Sequence, residues 1–142
     1  MGSPKQIDAR RYSRVAKQRL DEADLILQRL ELWAVAQYVG GYAVECMLKA
    51  LVIEVTPQNR RPPAGDDMLA WMKKDFGHDL NALRAYAGRR GARMPRDVSS
   101  DFVFVSTWDP QSRYEPGPGN AAEASRFLRA AKSVLKWADR RI

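Results

Sequence analysis

The sequence predicts an all-α protein, a bundle of five or six helices forming one domain over residues 1–142. Three observations carry that expectation. Apolar residues recur at spacings of three and four along both end segments. The stretch from Leu32 to Val55 is apolar almost all round, as suits a helix surrounded by others. The remaining short segment with strand character, Val98 to Trp108, has no second strand to pair with.

The first element opens on Ser3-Pro4-Lys5-Gln6, which has the form of a capping box with proline at the first helical position. Tyr12, Val15, Ala16, Leu20, Ala23, Ile26, Leu27 and Leu30 then describe one helical face. Arg10, Arg11, Arg14, Lys17 and Arg19 lie on the other side of its first half, either as a solvated basic face or as a binding surface.

The second element, Leu32 to Val55, is broken only by Gln37, Glu45, Lys49 and Glu54. Gly40-Gly41 in its middle costs about 1 kcal/mol per glycine in helix propensity. Close approach of another backbone, from the same chain or from a dimer mate, would repay that cost. Tyr38, Gly41, Glu45 and Lys49 share one stripe of this helix. Glu45 and Lys49 fit either an ordinary surface pair four residues apart or the wall of a narrow polar cleft. In a cleft, the lysine offers a point charge to phosphate. Thr56-Pro57 ends the helix, and the polar run through Asp67 is a loop.

A short helix is expected from Asp66 or Asp67 to about Asp75, with Gly77 as a left-handed cap. Asp79 suits the N-cap of the next helix, Leu80 to Tyr86, ending at Gly88. Gly88 to Arg96 reads as a basic loop. Val98 to Trp108 reads as strand or helix by pattern, and the missing partner strand favours a short helix. Asp109 to Asn120 is rich in proline and glycine and reads as a loop. Asn120 caps the last helix, whose core stripe is Phe127, Leu128, Ala131, Val134, Leu135, Ala138 and Ile142. Arg126, Arg129, Lys132, Lys136 and Arg140 line another face of it.

Composition narrows the chemistry. The formal charge is +7 and the sequence pI about 9.9, a balance that favours nucleic acid or another polyanion without defining a site. The lone cysteine, Cys46, excludes an internal disulfide and a thiolate metal cluster, and its apolar flanks suit a buried, inert thiol. The lone histidine, His78, has no histidine partner for a zinc site, so no metal or other cofactor is expected. No G-x-S-x-G sequence is present. The longest uncharged run, Leu32 to Val44, is 13 residues, short of the roughly 20 that span a bilayer. No basic-then-apolar leader opens the chain, and a cytoplasmic location without membrane contact is the expectation. Arg113-Tyr114 offers a planar fork beside an aromatic ring, either for phosphate or for anchoring the loop.

Taken together, GYAVECMLKALV (Gly41 to Val52), GHDLNAL (Gly77 to Leu83), Trp108 with Arg113-Tyr114, and the long final helix resemble the HEPN domain family (higher eukaryotes and prokaryotes nucleotide-binding). The resemblance covers nearly the whole chain. It implies an up-and-down helical bundle, usually a homodimer, with its cleft near the subunit boundary. Many HEPN proteins are RNA endonucleases, often toxins paired with a minimal nucleotidyltransferase in a toxin–antitoxin system. These share an arginine, four to six residues, then histidine. Here the matching positions before His78 are Trp71, Met72 and Lys73. Lysine has a permitted spacing but lacks the bidentate guanidinium. The chain therefore resembles the branch without that motif, which is thought to bind nucleotides or to act beside a nucleotidyltransferase. By position, the resemblance points to Glu45, Lys49, His78, Asp79, Arg113 and Tyr114 as nucleotide- or phosphate-binding residues. The alternatives are a metal-independent ribonuclease toxin, with His78 and Arg113 as its catalytic pair, and a purely structural docking partner.

Overall fold

A computed structural model describes residues 7–111 and 116–142. Among the described residues there is no strand, and six α-helices contribute to one apolar core. They are α1 (Ala9–Leu25), α2 (Trp33–Val55), α3 (Asp66–Asp75), α4 (Leu80–Arg89), α5 (Arg96–Val105) and α6 (Ala121–Asp139). The expected all-α bundle is the observed architecture. Among the described residues, no helix is long and apolar enough to cross a membrane.

The capping box at Ser3–Gln6 lies outside the described residues. Helix α1 begins at Ala9, where the carboxylate of Asp8 accepts the backbone N–H of Arg11 at 2.9 Å. The helix buries Ala9, Ser13, Ala16 and Ala23. It then widens into a π-helical turn, Ile26–Leu30, which closes on Glu31 in the left-handed region (φ 52°). That turn corrects one expectation: Leu30 is exposed rather than part of the core. A π turn holds more residues than an α turn, so the three-and-four spacing no longer tracks one face through it.

Helix α2 is the centre of the bundle and packs against α1, α4 and α6. Its first turn is satisfied by a distant part of the chain and its last by residues at and just beyond its end. At the start, where no side chain caps the helix, the carbonyl of Pro118 accepts the N–H of Ala34 at 3.0 Å. Gly119 (φ 82°) allows that approach, since a β-carbon there would lie 2.9 Å from the nitrogen of Ala34. At the far end, Arg61 donates to the carbonyls of Thr56 and Glu54, and Thr56 Oγ1 donates to the carbonyl of Val52.

Gly40 and Gly41 face the protein's own chain. A β-carbon on Gly40 would sit 2.5 Å from the tip of Leu128 on α6, and one on Gly41 would overlap the indole of Trp108. The glycines therefore admit α6 and Trp108 against the central helix.

Helix α3 spans the expected residues and ends as expected, with Gly77 at φ 58° donating its N–H to the carbonyl of Met72. Asp79 caps α4 by accepting the N–H of Ala82 at 3.0 Å. Helix α4 does not stop at Gly88. It continues to Arg89, and the left-handed residue beyond it is Gly91 (φ 99°). The basic loop is thus shorter than expected, because Arg96 already belongs to α5. Val98–Val105 is helical, with Val98, Phe102 and Val105 turned inward. In α6, Asn120 caps the N–H of Glu123, and the expected stripe is buried except for Ile142, which is exposed at the chain end.

Candidate functional site

The most apolar helix carries a carboxylate in its interior. Glu45 is 3% exposed, and such a group has to find partners for both of its oxygens. One oxygen, Oε2, accepts the ammonium of Lys49 one turn along α2, at 2.8 Å. The other, Oε1, accepts Nδ1–H of His78 at 2.8 Å, across the bundle from the turn between α3 and α4. The ordinary surface-pair reading of Glu45 and Lys49 is therefore replaced by a buried ion pair, with Lys49 itself only 11% exposed at its side chain.

His78 stands at the surface with its side chain 55% exposed. With Nδ1 engaged by Glu45, Nε2 is the ring nitrogen left to meet a ligand. The imidazole is also braced by Tyr42, edge to face at 6.1 Å. Tyr42 in turn packs on Trp108 at 5.1 Å, which ties the histidine to the Gly41 contact. Asp79 does not join this group: its carboxylate is occupied at the α4 cap.

Lys49 and His78 border a pocket of about 280 Å³, together with Tyr12, Lys73 and Gly77 and the apolar side chains of Leu69 and Met72. Two lysines and a histidine therefore surround one opening, with a single buried carboxylate beneath. Lys73 is exposed and forms no ion pair among the described residues. Tyr12 lies half-buried between α1 and this opening. Its phenol is pushed up to about 12, chiefly by burial and further by Cys46 and Glu45, so it stays an O–H donor at neutral pH.

Of the six positions suggested by resemblance, Glu45, Lys49 and His78 come together. Asp79 is a structural cap, and Arg113 and Tyr114 lie outside the described residues. Sequence reading missed Tyr12, which its spacing placed on the core face. Lys73 carried a signal that could have been used, its spacing five residues before His78 across the Gly77 turn. Comparison with known proteins finds no matching family model, no matching curated protein and no matching solved structure.

Beside Glu45, the thiol of Cys46 is pushed up from its ordinary 9.0 to about 11, first by burial and then by the Glu45 charge, against smaller opposing effects of Lys49 and Arg19. The folded protein holds this proton more tightly than the unfolded chain. The resulting stability is complete below pH 9 and is lost as pH rises from about 9 towards 11. Urea denaturation of wild type and Cys46→Ala at pH 8 and pH 11 measures it. The advantage of wild type over the variant is expected to shrink by about 2–3 kcal/mol across that interval.

Proposed function

We propose that this protein is a HEPN-like module that binds the phosphate of a nucleotide or of RNA at the Lys49–Lys73–His78 pocket. In this reading it works as a cytoplasmic homodimer and as one half of a two-protein module with a minimal nucleotidyltransferase. The observation that carries the reading is the buried Glu45 carboxylate, which holds Lys49 and His78 at the rim of an opening that Lys73 also borders.

The chemistry suits a phosphate. Lys49 and Lys73 supply point charges, Tyr12 supplies a neutral hydroxyl donor, and His78 supplies Nε2. Holding a cation on a fixed carboxylate removes part of the ordering cost that a free side chain meets on binding. The surplus of basic residues raises the local concentration of anions around the opening. Calorimetric titration with adenosine mono- and triphosphate and with short RNAs, at near-physiological salt, tests the proposal. Binding is expected with at least one of them, and Lys73→Ala is expected to weaken it by about tenfold or more, the worth of one charge-assisted contact. Absence of heat with every ligand overturns the reading.

One observation favours a second reading, that of a metal-independent ribonuclease. A carboxylate hydrogen-bonded to one nitrogen of an exposed imidazole is the arrangement that orients a general base. In this reading Nε2 of His78 takes the proton of the ribose 2′-hydroxyl as its oxygen bonds to phosphorus. The P–O bond to the 5′-oxygen breaks and that oxygen takes a proton from water, while Lys73 steadies the charge on the non-bridging oxygens. Incubation of the pure protein with RNA in chelator separates the two readings. Cleavage that disappears in His78→Ala supports the enzyme, and intact RNA with measurable binding supports the binding module.

A further inference from the structure

Helix α4 leads from the His78 pocket at its N-terminal end to a second basic feature at its C-terminal end. There the sequence GRRGARMPR turns the chain from α4 into α5. Asn81, Arg84, Ala85 and Gly88 follow the i, i+3, i+4, i+7 pattern, so they lie on one face of α4. With Arg89 and Arg93 they border a groove of about 550 Å³, and no carboxylate lines it.

The groove is built rather than merely charged. Arg84 is fixed in place: its guanidinium donates to Ser99 Oγ at 2.7 Å and lies over the ring of Phe102, 4.9 Å from the centroid. Arg89 and Arg93 are exposed and form no ion pair among the described residues. Elsewhere on the surface the cations are partly neutralised, as in Lys17 with Asp139, Arg19 with Glu22 and Lys132 with Asp24.

We infer that the groove bordered by Arg84, Arg89 and Arg93 binds the phosphodiester backbone of RNA, so that the full ligand of this protein is a polynucleotide, of which a mononucleotide fills the His78 pocket alone. The inference rests on the phosphate-binding reading of the His78 pocket and deepens it by naming the ligand class. Helix α4 has 10 residues, a length of about 15 Å at 1.5 Å per residue. At roughly 3.4 Å of axial advance per phosphate along a duplex strand, that distance takes on the order of four phosphates. A strand of at least that length is therefore needed to reach from one end of α4 to the other. Arginine suits the task, because its planar fork donates to two phosphate oxygens at once and stacks on bases. The groove has no base-reading pattern of its own, so affinity without sequence preference is the expected behaviour.

The test uses the full chain, a fluorescein-labelled oligouridylate and adenosine monophosphate. Anisotropy titrations over a range of salt concentrations compare wild type, Arg89→Ala/Arg93→Ala, and Arg126→Ala/Arg129→Ala, a control that removes the same charge from the exposed face of α6. The groove variant is expected to bind the oligonucleotide about tenfold or more weakly. The slope of log affinity against log salt should fall by about 1.4, two contacts at about 0.7 each. The α6 control should stay within about twofold of wild type. Adenosine monophosphate, measured calorimetrically at the His78 pocket, should bind the groove variant and wild type alike. An oligonucleotide affinity unchanged in the groove variant, or reduced equally in the α6 control, overturns the inference. Retained monophosphate binding in that case leaves the pocket reading standing. Failure of wild type to bind either ligand overturns both.

Discussion

Glu45→Ala is expected to destabilise the protein by about 3–5 kcal/mol, the largest effect of any single substitution considered. The carboxylate holds the ammonium of Lys49 at 2.8 Å in a setting where that lysine has little access to water. Removing it leaves a buried charge uncompensated, together with a cavity in the central helix. The loss is asymmetric: Glu45→Leu/Lys49→Leu removes both charges at once and is expected to recover most of the stability. It should also abolish phosphate binding, because His78 loses its brace and the pocket loses a cation. Urea denaturation gives the first result and calorimetry the second. An alanine variant as stable as wild type would show that Lys49 reaches water on its own.

The second large effect separates two adjacent glycines. Gly41→Ala is expected to cost about 2 kcal/mol or more, whereas Gly40→Ala is expected to stay within about 1 kcal/mol of wild type. Both substitutions gain about 1 kcal/mol in helix propensity. They differ in what the new methyl meets. At Gly40 it meets the end of Leu128, a side chain that turns aside. At Gly41 it meets the indole of Trp108, a rigid ring that is 8% exposed and wedged against Tyr42 and Tyr38. Overpacking of that kind typically costs 1–3 kcal/mol, and more when the neighbour is rigid. A double-mutant cycle with Trp108→Leu isolates the contact. Its coupling energy should fall in the 0.5–3 kcal/mol range of touching residues, with the leucine relieving the alanine.

These two sites also show what is legible in the sequence. The order of helices, the caps at Asp79 and Asn120, and the left-handed Gly77 are local decisions, written in residues that lie next to one another. The Gly40-Gly41 pair announced a close approach but not the neighbour, because the sequence does not say which distant side chain will fill the space. Glu45 and Lys49 stood out as charges on an apolar helix. That His78 completes them depends on α4 packing beside α2, a tertiary fact. In the sequence Lys73 is only a poor arginine and Tyr12 only a core residue, since spacing gives a face and not the opening beside it. Leu30 and Ile142 were misplaced for a related reason. Periodicity holds while the helix keeps its pitch, and it lapses at a π turn and at a chain end.

The way α2 is finished at its ends bears on how the chain reaches this fold. Its first turn waits for the carbonyl of Pro118, its glycine face waits for Trp108 and α6, and its last turn waits for Arg61. A ribosome-bound chain that stops short of residue 118 has Arg61 to close the last turn of its central helix but no carbonyl of Pro118 for the first. Helices α1 and α4 precede that point and pack on α2, whereas its first turn and its α6 face are completed only afterwards. Order in the middle of the molecule arrives with the final helix, and the amides of α2 are expected to gain protection from hydrogen exchange together with those of α6.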